Sequence, residues 1–381
     1  CSERNADHML KKILTGAAIA ALAVGLGACS STRPADGGGD AAGGGSTECN
    51  VGIAMPTRSL ERWINDGEQL QKKLQDAGCT VDLQYADNKT DQQISQIQNQ
   101  ISGGAKILVI AAIDGSTLGP VLQEAKAQNA KVIAYDRLIN GSENVDYYAT
   151  FDNYKVGTLQ GQYIESQLGL KDGKGPFNLE PFAGSPDDNN AKFFFAGAWD
   201  VLKPYVDSGK LVVPSGKSPA NDDAWASIGI QGWASDKAQS EMDNRLSSFY
   251  GDGKKVNVVL SPNDSLAIGI EASLKSAGYT PGADYPIITG QDADKANVKA
   301  ILDGAQAMTV WKDTRALGDR VFTMIQEIKD GKDVEVNDTK TYDNGKKVVP
   351  SYLLTPEVVT KDDVQSKLID SGFLKASDVG L

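Results

Sequence analysis

Residues 131–137 read "KVIAYDR", an apolar run that ends in an adjacent acid–base pair, Asp136 and Arg137. Upstream, "ILVIAA" at 107–112 is apolar at every position, which is typical of a parallel strand covered on both faces. Asp136 and Arg137 then lie at the end of a strand. Three roles are open to them: pairing with each other, ending the strand, or contacting a polar ligand. The stretch therefore predicts a buried sheet whose strand ends carry charge.

Strand-like and helix-like segments alternate along the body of the chain. The strand-like segments are "CNVGIAM" (49–55), "VDLQY" (81–85), "ILVIAA", "KVIAY" and "YYATF" (147–151), followed by a second set made of "FNLEPFA" (177–183), "KLVV" (210–213), "VNVVL" (256–260), "PIIT" (286–289) and "AMTVW" (307–311). Repeated βα units predict parallel sheets with right-handed crossovers. Because about ten strands are too many for one compact sheet, we predict an α/β fold of two lobes. A binding cleft is expected between the carboxyl ends of their strands.

The composition excludes several classes of function. The net charge of −12 argues against a nucleic-acid partner, because phosphates require clustered Lys and Arg, and it suits a soluble monomer. The only histidine, His8, precedes the predicted body, which removes most imidazole-based catalysis and most zinc sites. The acidic stretch "DNKTD" (87–91) lacks the spacing of a calcium loop. We predict neither a metal nor a cofactor.

The N-terminus predicts export. From Met9 the chain reads "MLKKILTGAAIAALAVGLGACSS", with two lysines before an apolar segment too short for a convincing membrane span. The end of this segment, "LGAC", resembles a bacterial lipobox, so residues 1–28 are taken as upstream residues and signal peptide, and Cys29 as the lipid carrier. The alternative is an ordinary signal peptide in which Cys29 is incidental. Residues 29–47 are rich in Gly, Ser and Ala and predict a flexible linker.

Cys49 and Cys79 each open a predicted strand. If the two strands are parallel neighbours, both thiols lie at the same end of the sheet, and an exported protein permits a disulfide between them. The alternative is a pair of free, buried thiols. We favour the bridge.

Polar residues follow nearly every predicted strand. They are Asp114, Asp136, Arg137, "DDNN" (187–190), Asn263, Asp264, Gln291, Asp292 and Lys312. Asp and Asn at such positions often cap the next helix, so a cap or loop role for Asp114 and Asp264 is as plausible as ligand contact. Caps do not call for Arg137 or Lys312, and the set as a whole favours a polar ligand.

Sugar hydroxyls both donate and accept, so a carboxylate beside a cation or an amide can satisfy them on both sides. Tryptophan offers a flat surface for the C–H face of a sugar ring. Trp63 and Trp233 are both flanked by polar sequence. Trp63 suits stacking and a core position equally, whereas stacking is the favoured role for Trp233.

Catalytic motifs are missing from the sequence. It contains no Gly-x-Ser-x-Gly elbow, no Gly-x-x-x-x-Gly-Lys phosphate loop and no Gly-x-Gly-x-x-Gly after the first strand. A glycosidase needs only two carboxylates, but the carboxylates here accompany Arg, Asn and Lys. Such partners lower a carboxyl pKa, which suits hydrogen bonding more than proton donation. We predict a binding protein and not an enzyme.

The chain resembles the periplasmic sugar-binding proteins of the xylose-binding type, including the multiple-monosaccharide receptors of ABC importers. The resemblance runs from about residue 49 to the C-terminus and is carried by "MPTRSLERW", "VIAAIDG", "VIAYDRLI", "YYATFDN", "GSPDDNNAKFF", "LSPND", "TGQDAD", "VWKDT" and "NDTKTY…VVPSYLL". It implies a type I periplasmic binding fold with a three-stranded hinge and a monosaccharide of the xylose, glucose, galactose or arabinose class in the cleft. The implied ligand-binding residues are Arg62, Trp63, Asp136, Arg137, Asp188, Asn190, Trp233, Asn263, Asp292 and Lys312.

The resemblance also implies a division into lobes and a partner. The first lobe would comprise 48–153 and 308–342, and the second 154–307 and 343–381. The sugar would close the lobes and be delivered to the permease of an ABC importer, with the protein anchored at the outer face of the cytoplasmic membrane. The long linker departs from the family pattern and suggests an organism without an outer membrane. A sensory co-receptor is compatible with this function, and a sugar-acting hydrolase is a more distant alternative.

Overall fold

The computed structural model describes residues 49–251 and 253–381. Its strands are β1 (Asn50–Met55), β2 (Thr80–Tyr85), β3 (Ile107–Ile110), β4 (Lys131–Tyr135), β5 (Tyr147–Phe151), β6 (Phe177–Pro181), β7 (Leu211–Val212), β8 (Val258–Leu260), β9 (Ile287–Ile288), β10 (Thr309–Trp311), β11 (Ser351–Leu354) and β12 (Glu357–Val359). Its α-helices are α1 (Glu61–Asp76), α2 (Thr90–Ser102), α3 (Gly119–Ala127), α4 (Asn153–Leu168), α5 (Asn189–Asp207), α6 (Ser235–Phe249), α7 (Asp264–Ser276), α8 (Lys295–Asp303) and α9 (Thr314–Lys329).

Six strands form a parallel sheet in the order β11-β5-β4-β3-β1-β2. Helices α2 and α3 contribute to the hydrophobic cluster on one face, and α1 and α9 to the cluster on the other. This double cover is the reason that β3 and β4 are apolar throughout their buried length. We call this sheet with its four helices the first lobe.

A second parallel sheet has the order β7-β6-β8-β9. Helices α4 to α7 enclose its core, and β10 lies beside the chain that leaves β9, through a bridge between Gln291 and Val310. Strand β12 pairs antiparallel with β10. We use the name second lobe for this sheet together with β10, β12, α4 to α8 and the C-terminal segment packed on them. The predicted α/β fold of helix-flanked parallel sheets is confirmed.

The chain passes between the two lobes three times, after β5, after β10 and after β11. The pairing of β11 with β5 places residues 351–354 in the first sheet, whereas the sequence assigned all of 343–381 to the second lobe. The pairing of β10 with β12 likewise joins residues 309–311 to the second lobe, although they were assigned to the first. These strands have three or four residues, and so short a pattern does not specify which sheet edge a strand joins.

Helices α4 and α5 pack with their backbones in close contact. A Cβ added to Gly157 would lie 1.8 Å from the carbonyl oxygen of Phe194, so glycine is required at this crossing. Helix α4 begins directly after the first passage between lobes, and α5 begins at Asn189. The close packing therefore holds the N-terminus of α5 beside the point where the lobes join.

Cys49 and Cys79 form a disulfide with a Cα–Cα distance of 4.7 Å, which joins the beginnings of β1 and β2. The predicted signal peptide, Cys29 and all of the predicted linker lie outside the described residues. Within the described ranges, no helix combines the length and apolarity needed to cross a membrane.

Candidate functional site

A cavity lies where the strand ends of the two lobes meet. Its walls are formed by Leu60, Arg62, Trp63, Asp136, Arg137, Asp188, Asn190, Phe194, Trp233, Asn263, Gln291, Asp292 and Lys312. All ten residues predicted from the sequence as ligand-binding thus surround one cavity.

Strand termini deliver most of these side chains. Asp136 and Arg137 follow β4, Asn263 follows β8, Asp292 follows β9 and Lys312 follows β10. Arg62 and Trp63 come from the first turn of α1, and Asp188 and Asn190 from the beginning of α5. In parallel sheets the carboxyl ends of strands share one edge, so two facing lobes bring distant parts of the sequence to a common site.

Three lining residues were not predicted as site residues. Gln291 belongs to the polar set after the strands, so its position carried a signal. Phe194 lies four residues after Asn190 on α5, which places both on one helical face. Leu60, directly before α1, has no comparable signal.

Three residues that line the cavity have positive φ values. Asp136, Trp233 and Asp292 have positive φ values of 60°, 54° and 102°. Non-glycine residues rarely adopt this region and persist there where surrounding contacts hold them, commonly at binding sites. At Asp136 the strain accompanies a tight turn, because Arg137 N–H donates to the carbonyl of Tyr135 at 2.6 Å.

Ion pairs cross between the lobes. Arg62 Nη1 lies 3.3 Å from Asp136 Oδ2 within the first lobe and 3.6 Å from Asp292 Oδ1 of the second. Arg137 Nε lies 3.1 Å from Asp188 Oδ2, also across the cleft. Lys312 Nζ is 3.1 Å from Asp292 Oδ1. Two of these pairs, Arg62 with Asp292 and Arg137 with Asp188, thus join the two lobes.

Burial and ion pairing compete at Arg62 and Asp136. Burial lowers the pKa of Arg62, but the Asp136, Asp66 and Asp292 carboxylates outweigh it, so the pKa is raised well above its ordinary value. Burial raises the pKa of Asp136, but Arg62, Lys312 and Arg137 outweigh it, and the net pKa is lowered. Both side chains are therefore charged at neutral pH.

Asp188 departs from the sequence-based expectation that cationic and amide partners lower the carboxyl pKa. Burial raises its pKa, and the opposing effects of Arg137 and of the Asn190 backbone N–H are too small to restore the ordinary value. The carboxylate also accepts a hydrogen bond from Trp233 Nε1 at 3.1 Å. Removal of water by the closed cleft, which a sequence does not reveal, causes the difference.

The two tryptophans approach the cavity from opposite lobes. Trp63 is 2% exposed, and the guanidinium carbon of Arg62 lies 4.3 Å and that of Arg137 5.0 Å from its ring centroid. Trp63 both lines the cavity and belongs to the first lobe's core, which combines its two predicted roles. Trp233 stands against Gly184, where an added Cβ would lie 2.1 Å from Cη2 of the indole.

Asp114 and Asp264 have local structural roles. Asp114 Oδ1 accepts from the backbone N–H and hydroxyl of Ser116 in a loop. Asp264 is buried and accepts from Gln306 Nε2 at 2.9 Å and from the Thr309 hydroxyl at 3.0 Å. Neither lines the cavity.

Two further acidic residues, Asp294 and Asp264, lie near Asp292 but do not line the cavity. Burial, followed by the carboxylates of Asp292 and Glu61, raises the pKa of the neighbouring Asp294 to about 7. Burial and Asp294 likewise raise the pKa of Asp264 well above its ordinary value. The two residues are connected, because Asp294 N–H donates to Asp264 Oδ2.

Several buried polar atoms of the cavity wall lack a hydrogen-bond partner within residues 49–251 and 253–381. They are Arg62 Nε, Trp63 Nε1, Asp136 Oδ1 and Gln291 Oε1. Leaving such groups without a partner costs about 1–3 kcal/mol each, more when charged. The set contains both donors and acceptors. The wall therefore has the chemistry to hold a small polar ligand with many hydroxyl groups.

The cleft is closed. Asp136 is 3% and Arg137 6% exposed, so neither faces open solvent. In the described part of the chain, no three His, Cys, Asp or Glu side chains are grouped in a way that could hold a metal ion.

Residues 51–333 match the family model of the periplasmic binding protein domain. The chain is 55% identical over 330 residues to the multiple sugar-binding periplasmic receptor ChvE of Rhizobium radiobacter, covering 86% of this chain and 92% of that protein. It is 38% identical to the D-xylose-binding periplasmic protein of Escherichia coli, with 87% and 93% covered. A solved ABC transporter solute binding protein from Clostridium phytofermentans, with bound β-D-glucose, is 52% identical, with a TM-score of 0.82 over 86% of this chain and 99% of that one.

These matches agree with the resemblance drawn from the sequence. The chain belongs to the periplasmic binding protein family.

Proposed function

We propose that this protein is an extracytoplasmic receptor that binds one monosaccharide of the xylose, glucose, galactose or arabinose class and delivers it to an ABC importer. The ligand bridges Arg62, Asp136 and Arg137 on the first lobe to Asp188, Asn190, Asn263, Asp292 and Lys312 on the second. Because contacts from both lobes are complete only when the cleft is closed, the sugar selects the closed population. Binding requires no bond to be broken, so the proposed function is not enzymatic.

The observation that carries this proposal is the set of buried, unpaired donors and acceptors on the cavity wall, in the part of the chain that the structure describes. A sugar hydroxyl can accept from Arg62 or Arg137 and donate to Asp136 or Asp292. Trp63 and Trp233 add flat apolar surface for the ring. The names of the relatives, a multiple sugar-binding receptor and a D-xylose-binding protein, and the glucose in the solved relative support the same ligand class.

A melting-temperature screen against a panel of pentoses and hexoses tests this function. A sugar present at 100 times its dissociation constant stabilises the folded state by about 2.7 kcal/mol. For a protein of this size the shift amounts to roughly 5 °C. If no pentose or hexose shifts the melting temperature, the proposed ligand class is wrong.

Membrane attachment through lipid on Cys29 is a separate part of the proposal. It rests on the "LGAC" sequence and on the Gly-rich segment after it. In cells that express the full chain, the protein should sediment with membranes, and Cys29→Ala should release it to the soluble fraction. Equal partition of both proteins would leave Cys29 without the proposed role.

Two alternatives have direct tests. A sensory co-receptor would bind the same sugar and also associate with a membrane signalling protein, which co-purification from sugar-grown cells detects. A sugar-acting hydrolase would release product from a glycoside during prolonged incubation. We also propose lobe limits that follow the strand pairing, with 49–152 and 313–355 in the first lobe and the remainder of 153–381 in the second.

A further inference from the structure

The carbonyl oxygen of Asp136 connects the two lobes. It accepts from the hydroxyl of Tyr148 at 2.9 Å and from the hydroxyl of Thr150 at 3.0 Å, both on the adjacent strand β5. It also accepts from Asn190 Nδ2 at 2.6 Å, and Asn190 belongs to α5 of the second lobe. The left-handed backbone of Asp136 thus presents its carbonyl to a donor from across the cleft.

The side-chain oxygen of Asn190 also has hydrogen-bond partners. Its Oδ1 lies 2.9 Å from the hydroxyl of Tyr148 and accepts from Asn153 Nδ2 at 3.1 Å. Because Asn153 Nδ2 donates to Oδ1, and the single hydroxyl proton of Tyr148 is shared between Oδ1 and the carbonyl of Asp136, the amide turns Nδ2 toward that carbonyl. Tyr148 and Asn153 are 0% exposed and do not line the cavity.

The hydrogen bond from Asn190 to the carbonyl of Asp136 depends on closure of the cleft, because the two residues belong to different lobes. Tyr148 is on β5 of the first lobe, and Asn153 begins α4 directly after the first passage between lobes. When the lobes separate, Asn190 moves with α5 away from Tyr148 and Asp136, and water can replace these two partners, whereas Asn153 on α4 stays beside it. When they close, the hydrogen bonds of Asn190 become buried, and an incorrectly oriented amide would set its oxygen against the carbonyl of Asp136.

We propose that Tyr148 and Asn153 are positioning residues that orient the Asn190 amide as a clamp between the lobes, and so determine how long the closed receptor retains its ligand. This inference rests on the proposed sugar-binding function. Neither residue touches the cavity, so both act through Asn190 and through the Asp136 backbone. Their effect falls on the closed state and therefore on ligand release.

The test variant is Tyr148→Phe, which removes one hydroxyl and keeps the ring beside Tyr342, whose centroid is 5.0 Å away. The matched control is Tyr205→Phe, which removes a hydroxyl bonded to Glu165 at 2.7 Å, away from the cavity. Stopped-flow fluorescence with a sugar that the parent binds measures association and dissociation separately. Melting of each ligand-free protein measures folding.

Tyr148→Phe should raise the dissociation rate roughly two- to tenfold, as expected for one lost hydrogen bond. Association, which begins from the open form, should change less, and Tyr205→Phe should match the parent in both rates. Asn153→Ala should act in the same direction as Tyr148→Phe. Unchanged dissociation in Tyr148→Phe, or equal changes in Tyr205→Phe, would overturn the clamp. A parent that binds no sugar would instead refute the proposed function, and the inference with it.

Discussion

Replacement of Arg137 by alanine should abolish tight ligand binding while leaving the ligand-free fold intact. Arg137 and Asp188 are 6% and 4% exposed, and Nε and Oδ2 are 3.1 Å apart across the cleft. Removing one member of a buried pair leaves an uncompensated charge, which costs about 3–5 kcal/mol. Because the partners belong to different lobes, an open cleft lets water reach Asp188, so the penalty applies to closure and not to folding.

Each 1.4 kcal/mol corresponds to a tenfold change, so the dissociation constant should rise by roughly two to three and a half orders of magnitude. Isothermal titration calorimetry with the sugar that stabilises the parent measures this, and ligand-free melting provides the folding control. Arg137→Lys should recover part of the loss, since it restores charge without the planar guanidinium. Binding within tenfold of the parent would refute the bridging role, and failure of Arg137→Ala to fold would identify a structural ion pair.

Three further changes have defined outcomes. Replacing both Cys49 and Cys79 by serine should lower the free energy of unfolding by about 3 kcal/mol, measured by urea denaturation, with sugar affinity retained; equal stability would exclude a stabilising bridge. The pKa of Asp294 is raised from its ordinary value of 3.8 to about 7, so the folded state holds the proton more tightly, and this stability is lost as pH rises from about 4 to about 7. The melting temperature should fall between about pH 4 and 7 and level off above, and Asp294→Asn should flatten that profile; an unchanged slope would contradict the assignment. In Gly184→Ala the added Cβ would lie 2.1 Å from the Trp233 indole, so the indole should be displaced. We expect the free energy of unfolding to fall by about 1–3 kcal/mol and sugar binding to weaken; parent-like affinity would show that the indole position is unimportant.

Much of the site was readable from the sequence because strand ends carry its residues. An apolar run such as "KVIAY" locates a strand by its composition, and the residue after it must emerge at the sheet edge. Asp136, Arg137, Asn263, Asp292 and Lys312 follow from this logic. Residues on helices, such as Phe194, require knowledge of which helical face meets the other lobe, and only the packed structure provides it.

Local periodicity and the order of segments along the chain were sufficient to predict the alternation of strands and helices, the two parallel sheets and the polar character of their carboxyl ends. Packing shows which sheet the short strands β10 and β11 join. It also shows that burial outweighs Arg137 in setting the pKa of Asp188, and that Asn190 meets the carbonyl of Asp136. Each of these three features depends on the approach of segments far apart in the chain and on the removal of water between them. A local stretch of residues encodes neither that approach nor that loss of water.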